Sequence, residues 1–165
     1  MARARIGGYF FNTTEDPNFI PGNGSAENDV LVYIAVYRVS NSSDPANVLT
    51  IDARVRKCLD YDCMEAMRLA PNVDLGKIHL NERVRLRLTW DKNNRQLIFQ
   101  REFGPEYTIH YPDTVSDTSP PGVSYGGFKK LDVQSIVPNC TTQPRPVGYM
   151  EVLFDDVFVN ESAVP

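Results

Sequence analysis

The chain has 165 residues, of which 17 are Lys or Arg and 21 are Asp or Glu, giving a formal net charge of −4; 42% are apolar and 23% charged. That balance excludes a disordered chain, a membrane span of roughly 20 consecutive apolar residues, and a basic nucleic-acid binder. Two histidines and three cysteines are too few for a multi-ligand zinc module, and a chain of this length is read as one domain, residues 1–165.

The start, Met1-Ala2-Arg3-Ala4-Arg5, is basic but leads into Gly7-Gly8 rather than an apolar run, so it does not read as a signal peptide. The chain is therefore either cytosolic or a form whose leader has been removed. Residues 6–12 are read as the first strand, paired with the last one at residues 149–160. Residues 30–39 (VLVYIAVYRV) give the strongest strand signal. They are apolar on both faces, which places them centrally. Residues 48–57 alternate: Leu49, Ile51, Ala53 and Val55 point one way, and Thr50, Asp52, Arg54 and Arg56 the other.

The only stretch that tolerates a helical period is residues 64–69, and it stops at Pro71. Residues 82–90 alternate again, with Val84, Leu86, Leu88 and Trp90 opposite Arg83, Arg85 and Arg87. The cluster Asp91-Lys92-Asn93-Asn94 then turns the chain into a strand over residues 95–102, making a hairpin. A short strand over 105–111, a long Pro/Gly loop over 112–127 and strands over 128–137 and 149–160 complete the chain. About eight strands between turn signals predict an all-β sandwich or barrel with antiparallel sheets, each buried on one face.

Cys58 and Cys63 enclose four residues at the end of a strand. The spacing fits a disulfide where the backbone doubles back, and two free thiols are the alternative. Cys140 is left over, as an inert buried thiol, a reactive one or an intermolecular link. Asn-X-Ser/Thr triplets start at Asn12, Asn23, Asn41, Asn139 and Asn160. They fit either a secreted glycoprotein or the chance yield of loops rich in these residues.

No paired-carboxylate, Ser/His/Asp or phosphate-loop pattern is present. His79 reads as a turn residue and His110 as solvated. The chemistry lies instead in side chains on strand faces: Arg83, Arg85 and Arg87; Arg54 and Arg56 beside Asp52; and Tyr33 with Tyr37. If these strands share a sheet, its open face displays arginine, aspartate and tyrosine. Arginine forks hold carboxylates or sulfates bidentately, and aromatic rings stack on sugars. Tyr107, Tyr111 and Tyr125 add aromatic candidates near the long loop. Trp90 reads as core. The alternative for the whole face is an ordinary solvated sheet with Arg–Asp and Arg–Glu pairs across strands.

Two segments carry a resemblance. Leu75-Gly76-Lys77-Ile78 with Val84 through Asp91 and then Leu97 through Arg101, and the ending Phe154-Asp155-Asp156-Val157-Phe158-Val159-Asn160, resemble strands of the concanavalin A-like (laminin-G-like) jelly rolls. The resemblance implies two curved antiparallel sheets, and a superfamily spanning lectins, polysaccharide-binding modules and some glycanases. It also implies a calcium site built from Asp155 and Asp156 with oxygens of the N-terminal loop, Asn12 among them beside Glu15 and Asp16. The expectation is a noncatalytic binding domain, secreted or in the cell envelope, taking carbohydrate and an acidic glycan first. The alternative is a structural or protein-interaction domain without a small ligand, with a polysaccharide-degrading enzyme behind both.

Overall fold

The computed structural model describes residues 1–123, 129–136 and 149–159. Nine strands are present among them: β1 (Ala2–Asn12), β2 (Asp29–Arg38), β3 (Val48–Cys58), β4 (Ala66–Arg68), β5 (Val73–His79), β6 (Leu86–Asp91), β7 (Gln96–Arg101), β8 (Glu106–His110) and β9 (Lys129–Ser135). They form two antiparallel sheets. The larger runs β4-β3-β2-β1-β9, with β5 also on β3, and the smaller runs β6-β7-β8. The chain is thus the all-β, two-sheet antiparallel sandwich that the alternating strands predict.

β2 is central because it has partners on both sides and is apolar on both faces. Val30, Val32 and Ile34 enter the space between the sheets, whereas Leu31, Tyr33 and Ala35 lie on the outer face, also buried. On β3, Ile51, Ala53 and Val55 join the inner core, leaving Thr50, Asp52, Arg54 and Arg56 outside by the period-2 rule. The smaller sheet closes over this core with Leu97 and Phe99, fully buried, and with Leu86, Leu88 and Trp90 packed beside them.

A register shift in β1 between Tyr9 and Phe11 is a bulge, and a bulge re-aims side chains. Here both Phe10 and Phe11 reach Trp90, edge-on at 5.8 Å and stacked at 5.4 Å. Phe11, 1% exposed, contributes about 2–3 kcal/mol by burial alone.

Four expectations are corrected. The hairpin strand starts at Leu86 rather than at residue 82, so Arg83 and Arg85 precede it. Residues 66–68, within the stretch that tolerates a helical period, form a short edge strand on β3. The first strand begins at Ala2, and its second neighbour is β9, not residues 149–160. β9 fills the β1 edge from Ala2 to Gly8, so no partner there is left for the C-terminal residues. Residues 149–159 contain no strand, and Tyr149 and Leu153 are each 82% exposed. They run along the mouth of an open cleft between the sheets, walled by Ile6, Phe10, Val36, Leu86 and Leu88. Leu131 and Val133, on the same side of β9, are left 42% and 43% exposed.

Candidate functional site

The outer face of the larger sheet carries the densest assembly of functional side chains. Strand register arranges it in rows across β9, β1, β2 and β3. One row is Lys130–Gly7–Tyr33–Arg54, the next Asp132–Arg5–Ala35–Asp52, and the third Gln134–Arg3–Tyr37–Thr50. Gly7 and Ala35 matter by being small. A Cβ on Gly7 would lie 2.2 Å from the Val32 carbonyl oxygen and 2.6 Å from the Tyr33 Cα, so only glycine lets β1 pass this closely beside Tyr33.

Around the hollow they leave, three guanidinium groups gather over one ring. Arg5, Arg3 and Arg54 stand 5.1, 5.8 and 6.0 Å from the Tyr33 centroid, and Arg54 lies 5.0 Å from that of Tyr37. Such contacts favour cations on an aromatic face. Tyr33 is consequently 4% exposed. Its ring is covered by its own arginines and offers no platform to a sugar, which corrects the stacking role expected of it.

The charges are paired unequally. Arg5 donates to both Asp132 oxygens, with Nε–Oδ1 at 2.8 Å. Arg54 chelates Asp52, with Nη2–Oδ2 at 2.8 Å, and the Tyr37 hydroxyl donates to the same oxygen at 3.2 Å. Lys130 shares Asp132, at 3.6 Å. Arg3 pairs with no carboxylate among the described residues: its Nε and Nη2 both donate to the neutral Gln134 Oε1, at 3.0 and 2.6 Å. Among the described residues, four cations (Arg3, Arg5, Arg54, Lys130) thus stand with two anions (Asp52, Asp132), a local +2 on a chain whose total is −4.

The titration behaviour follows from this crowding. Burial and then the neighbouring Arg5 charge lower both Arg3 and Lys130 from their ordinary values. Burial works against the Asp132 carboxylate, but the Arg5 hydrogen bond and charge, with Lys130, outweigh it and hold its pKa low. Burial likewise opposes the Arg54 charge, and the Asp52 bond and charge more than restore it. For Tyr37, burial and then Asp52 push the phenol up.

Of the candidate ligand residues, Tyr33, Tyr37, Asp52 and Arg54 are brought together here. Arg56 shares the face one row on, opposite Leu31 and Arg68. Arg83, Arg85 and Arg87 belong with the smaller sheet, so the single arginine face across both groups does not exist. Arg83 is 3.9 Å from Asp155, Arg85 stacks on Phe103 at 5.2 Å, and Arg87 pairs with Glu106. Tyr107 is 41% exposed on β8. Tyr111 is buried; its hydroxyl donates to Asp117 at 2.6 Å and accepts from the Trp90 Nε1 at 3.0 Å, a role in the core rather than in binding. Tyr125, Cys140, Asn139 and Asn160 lie outside the described residues.

Arg3, Arg5, Lys130, Asp132 and Gln134 are members that sequence reasoning missed. The signal was present: Ala2-Arg3-Ala4-Arg5-Ile6 and Lys130-Leu131-Asp132-Val133-Gln134 both alternate with period 2.

For the calcium set, Asn12 has its side chain engaged. Its amide donates to Asp29 at 2.7 Å and to the Glu27 carbonyl at 2.9 Å, and its oxygen accepts from the Thr14 N–H. Asp155 and Asp156 are exposed. Among the described residues no three His, Cys, Asp or Glu side chains converge as metal ligands.

Cys58 and Cys63 form a disulfide, with Cα atoms 4.8 Å apart. Such bonds persist in oxidising compartments. No described helix is long and apolar enough to cross a membrane. Asn12 is fully buried, whereas Asn23 and Asn41 are exposed in turns. No family model matches the chain, and neither a curated protein nor a solved structure does.

Proposed function

We propose that the chain is a noncatalytic binding domain of an oxidising, extracytoplasmic compartment. The outer face of its larger sheet takes an acidic polysaccharide. One observation carries the reading: three arginines packed over one tyrosine ring, with Lys130 beside them and two carboxylates between, on a single sheet face. The disulfide and the resemblance to concanavalin A-like jelly rolls support the compartment and the carbohydrate class. Fold alone assigns neither.

Like charges held together repel, and an anion laid across them relieves that repulsion. Calorimetric titration with polygalacturonate and with an uncharged polysaccharide tests this. Binding to the acidic polymer alone, weakening as salt is raised through about 0.15 M, is the expected result. Absence of binding at low salt, or equal binding to the neutral polymer, contradicts it.

The open cleft favours a second reading, a protein-interaction domain. The half-exposed Leu131 and Val133 and the apolar residues of 149–159 offer surface of the kind that protein partners cover. A stable oligomer by light scattering together with silence toward glycans supports that reading.

A further inference from the structure

The +2 face has one acceptor that does not match its donor. Arg5 and Arg54 each hold a carboxylate in two-pronged contact, but Arg3 aims the same Nε–Nη2 edge at a single amide oxygen of Gln134, at 3.0 and 2.6 Å. A guanidinium edge is built to match the two oxygens of a planar carboxylate, and a charged acceptor binds it about twice as strongly as a neutral one. Arg3 is also less buried than Arg5, and Arg5, beside it, is already committed to Asp132.

Resting on the reading of this face as an acidic-glycan site, we propose that Arg3 is the residue that receives the ligand's carboxylate. Gln134 holds the place in the free protein. The ligand is then a polymer of uronic acids. One carboxylate displaces the Gln134 oxygen and bridges Nε and Nη2 of Arg3, and the neighbouring Lys130 and Arg5 charges add attraction without a direct bond. Gln134 is a positioning residue, because it orients the fork.

The experiment uses the full chain, polygalacturonate as the probe and four proteins: wild type, Arg3→Gln, Gln134→Glu and Arg83→Gln. Gln134→Glu supplies a carboxylate from the protein itself, which should occupy Arg3 and compete with the ligand. Arg3→Gln removes the fork. Each is expected to weaken binding about tenfold or more, the loss of one charge-assisted contact. Arg83→Gln, in the segment that leads into β6 and away from this face, should bind as wild type does. Gln134→Glu turns the Nε2 that donates to Asp132 at 3.3 Å into a carboxylate oxygen, so some loss of melting temperature is expected of it, and Arg3→Gln, folded at the assay temperature, separates a lost site from a damaged fold. Wild-type binding that survives both Arg3→Gln and Gln134→Glu overturns the assignment of Arg3 while leaving the glycan reading intact. Failure of wild type itself to bind overturns the glycan reading.

Discussion

Replacing Asp132 by Asn separates the two roles of the outer face, stability and attraction. The carboxylate accepts from Arg5 Nε and Nη2, from Gln134 Nε2 at 3.3 Å and stands 3.6 Å from Lys130. An amide keeps one acceptor for Arg5 Nε but turns an NH2 group toward Nη2, donor against donor. The Arg5 side chain is 6% exposed and the Asp132 side chain 21%, so Arg5 cannot turn to water. Breaking a fully buried ion pair from one side costs about 3–5 kcal/mol. Discounting for the partly open Asp132 side gives a loss of about 2–3 kcal/mol. For a chain of this size that lowers Tm by roughly 5–10 °C.

Arg5→Met combined with Asp132→Leu removes both charges and should recover most of the loss, giving strong coupling in a double-mutant cycle. The Asp132→Asn variant, meanwhile, gains one unit of positive charge and should bind the acidic polymer more tightly with a steeper salt dependence. Urea unfolding of the set and titration of the single variant are the assays. A change in stability below about 0.5 kcal/mol, or simple additivity in the cycle, would refute the reasoning.

Three further outcomes are expected. Gly7→Ala, which drives a methyl into the β2 backbone, should cost about 3 kcal/mol or more, and wild-type stability for it would show that β1 and β2 can separate at Tyr33. Replacing Cys58 and Cys63 by Ala should cost about 2 kcal/mol, the entropy of so short a closed loop, read by chemical denaturation. Tyr111, pushed by burial and by Asp117 to about 12, should ionise last in an ultraviolet pH titration. Its folded pKa lies above the unfolded value of about 10, so its contribution is complete below pH 10 and falls away as pH rises toward 12; Tyr111→Phe should flatten stability across that window.

The strand faces were legible from the sequence where the period was clean. β3 and the β6–β7 hairpin follow directly from alternation, and β2 from its double apolar face. The assortment of strands into sheets was not. Arg54 and Arg87 look alike in their own strands, and only long-range pairing puts them on different sheets. Local alternation sets which way a side chain points, not which strand lies alongside. The same limit explains the C-terminal residues. Val152, Phe154 and Val157 have the composition of a strand, yet the β1 edge is already filled by β9. The alternation of Arg3 and Arg5 was hidden by its place at the start of the chain, where a basic stretch reads as a terminus. Tyr33 pointed outward as the pattern required, but no pattern could show that its ring would be covered by guanidinium groups from β1, a strand distant in sequence.

The central claim, that the outer face of the larger sheet is the binding surface, is tested most directly by mapping amide chemical-shift changes on titrating a uronic-acid oligomer into the labelled protein. The account predicts that the shifts concentrate at Arg3, Arg5, Arg54, Lys130 and Gln134 and spare β6, β7 and β8. Shifts confined to the smaller sheet or to the cleft along residues 149–159, or none at saturating oligomer, would contradict it.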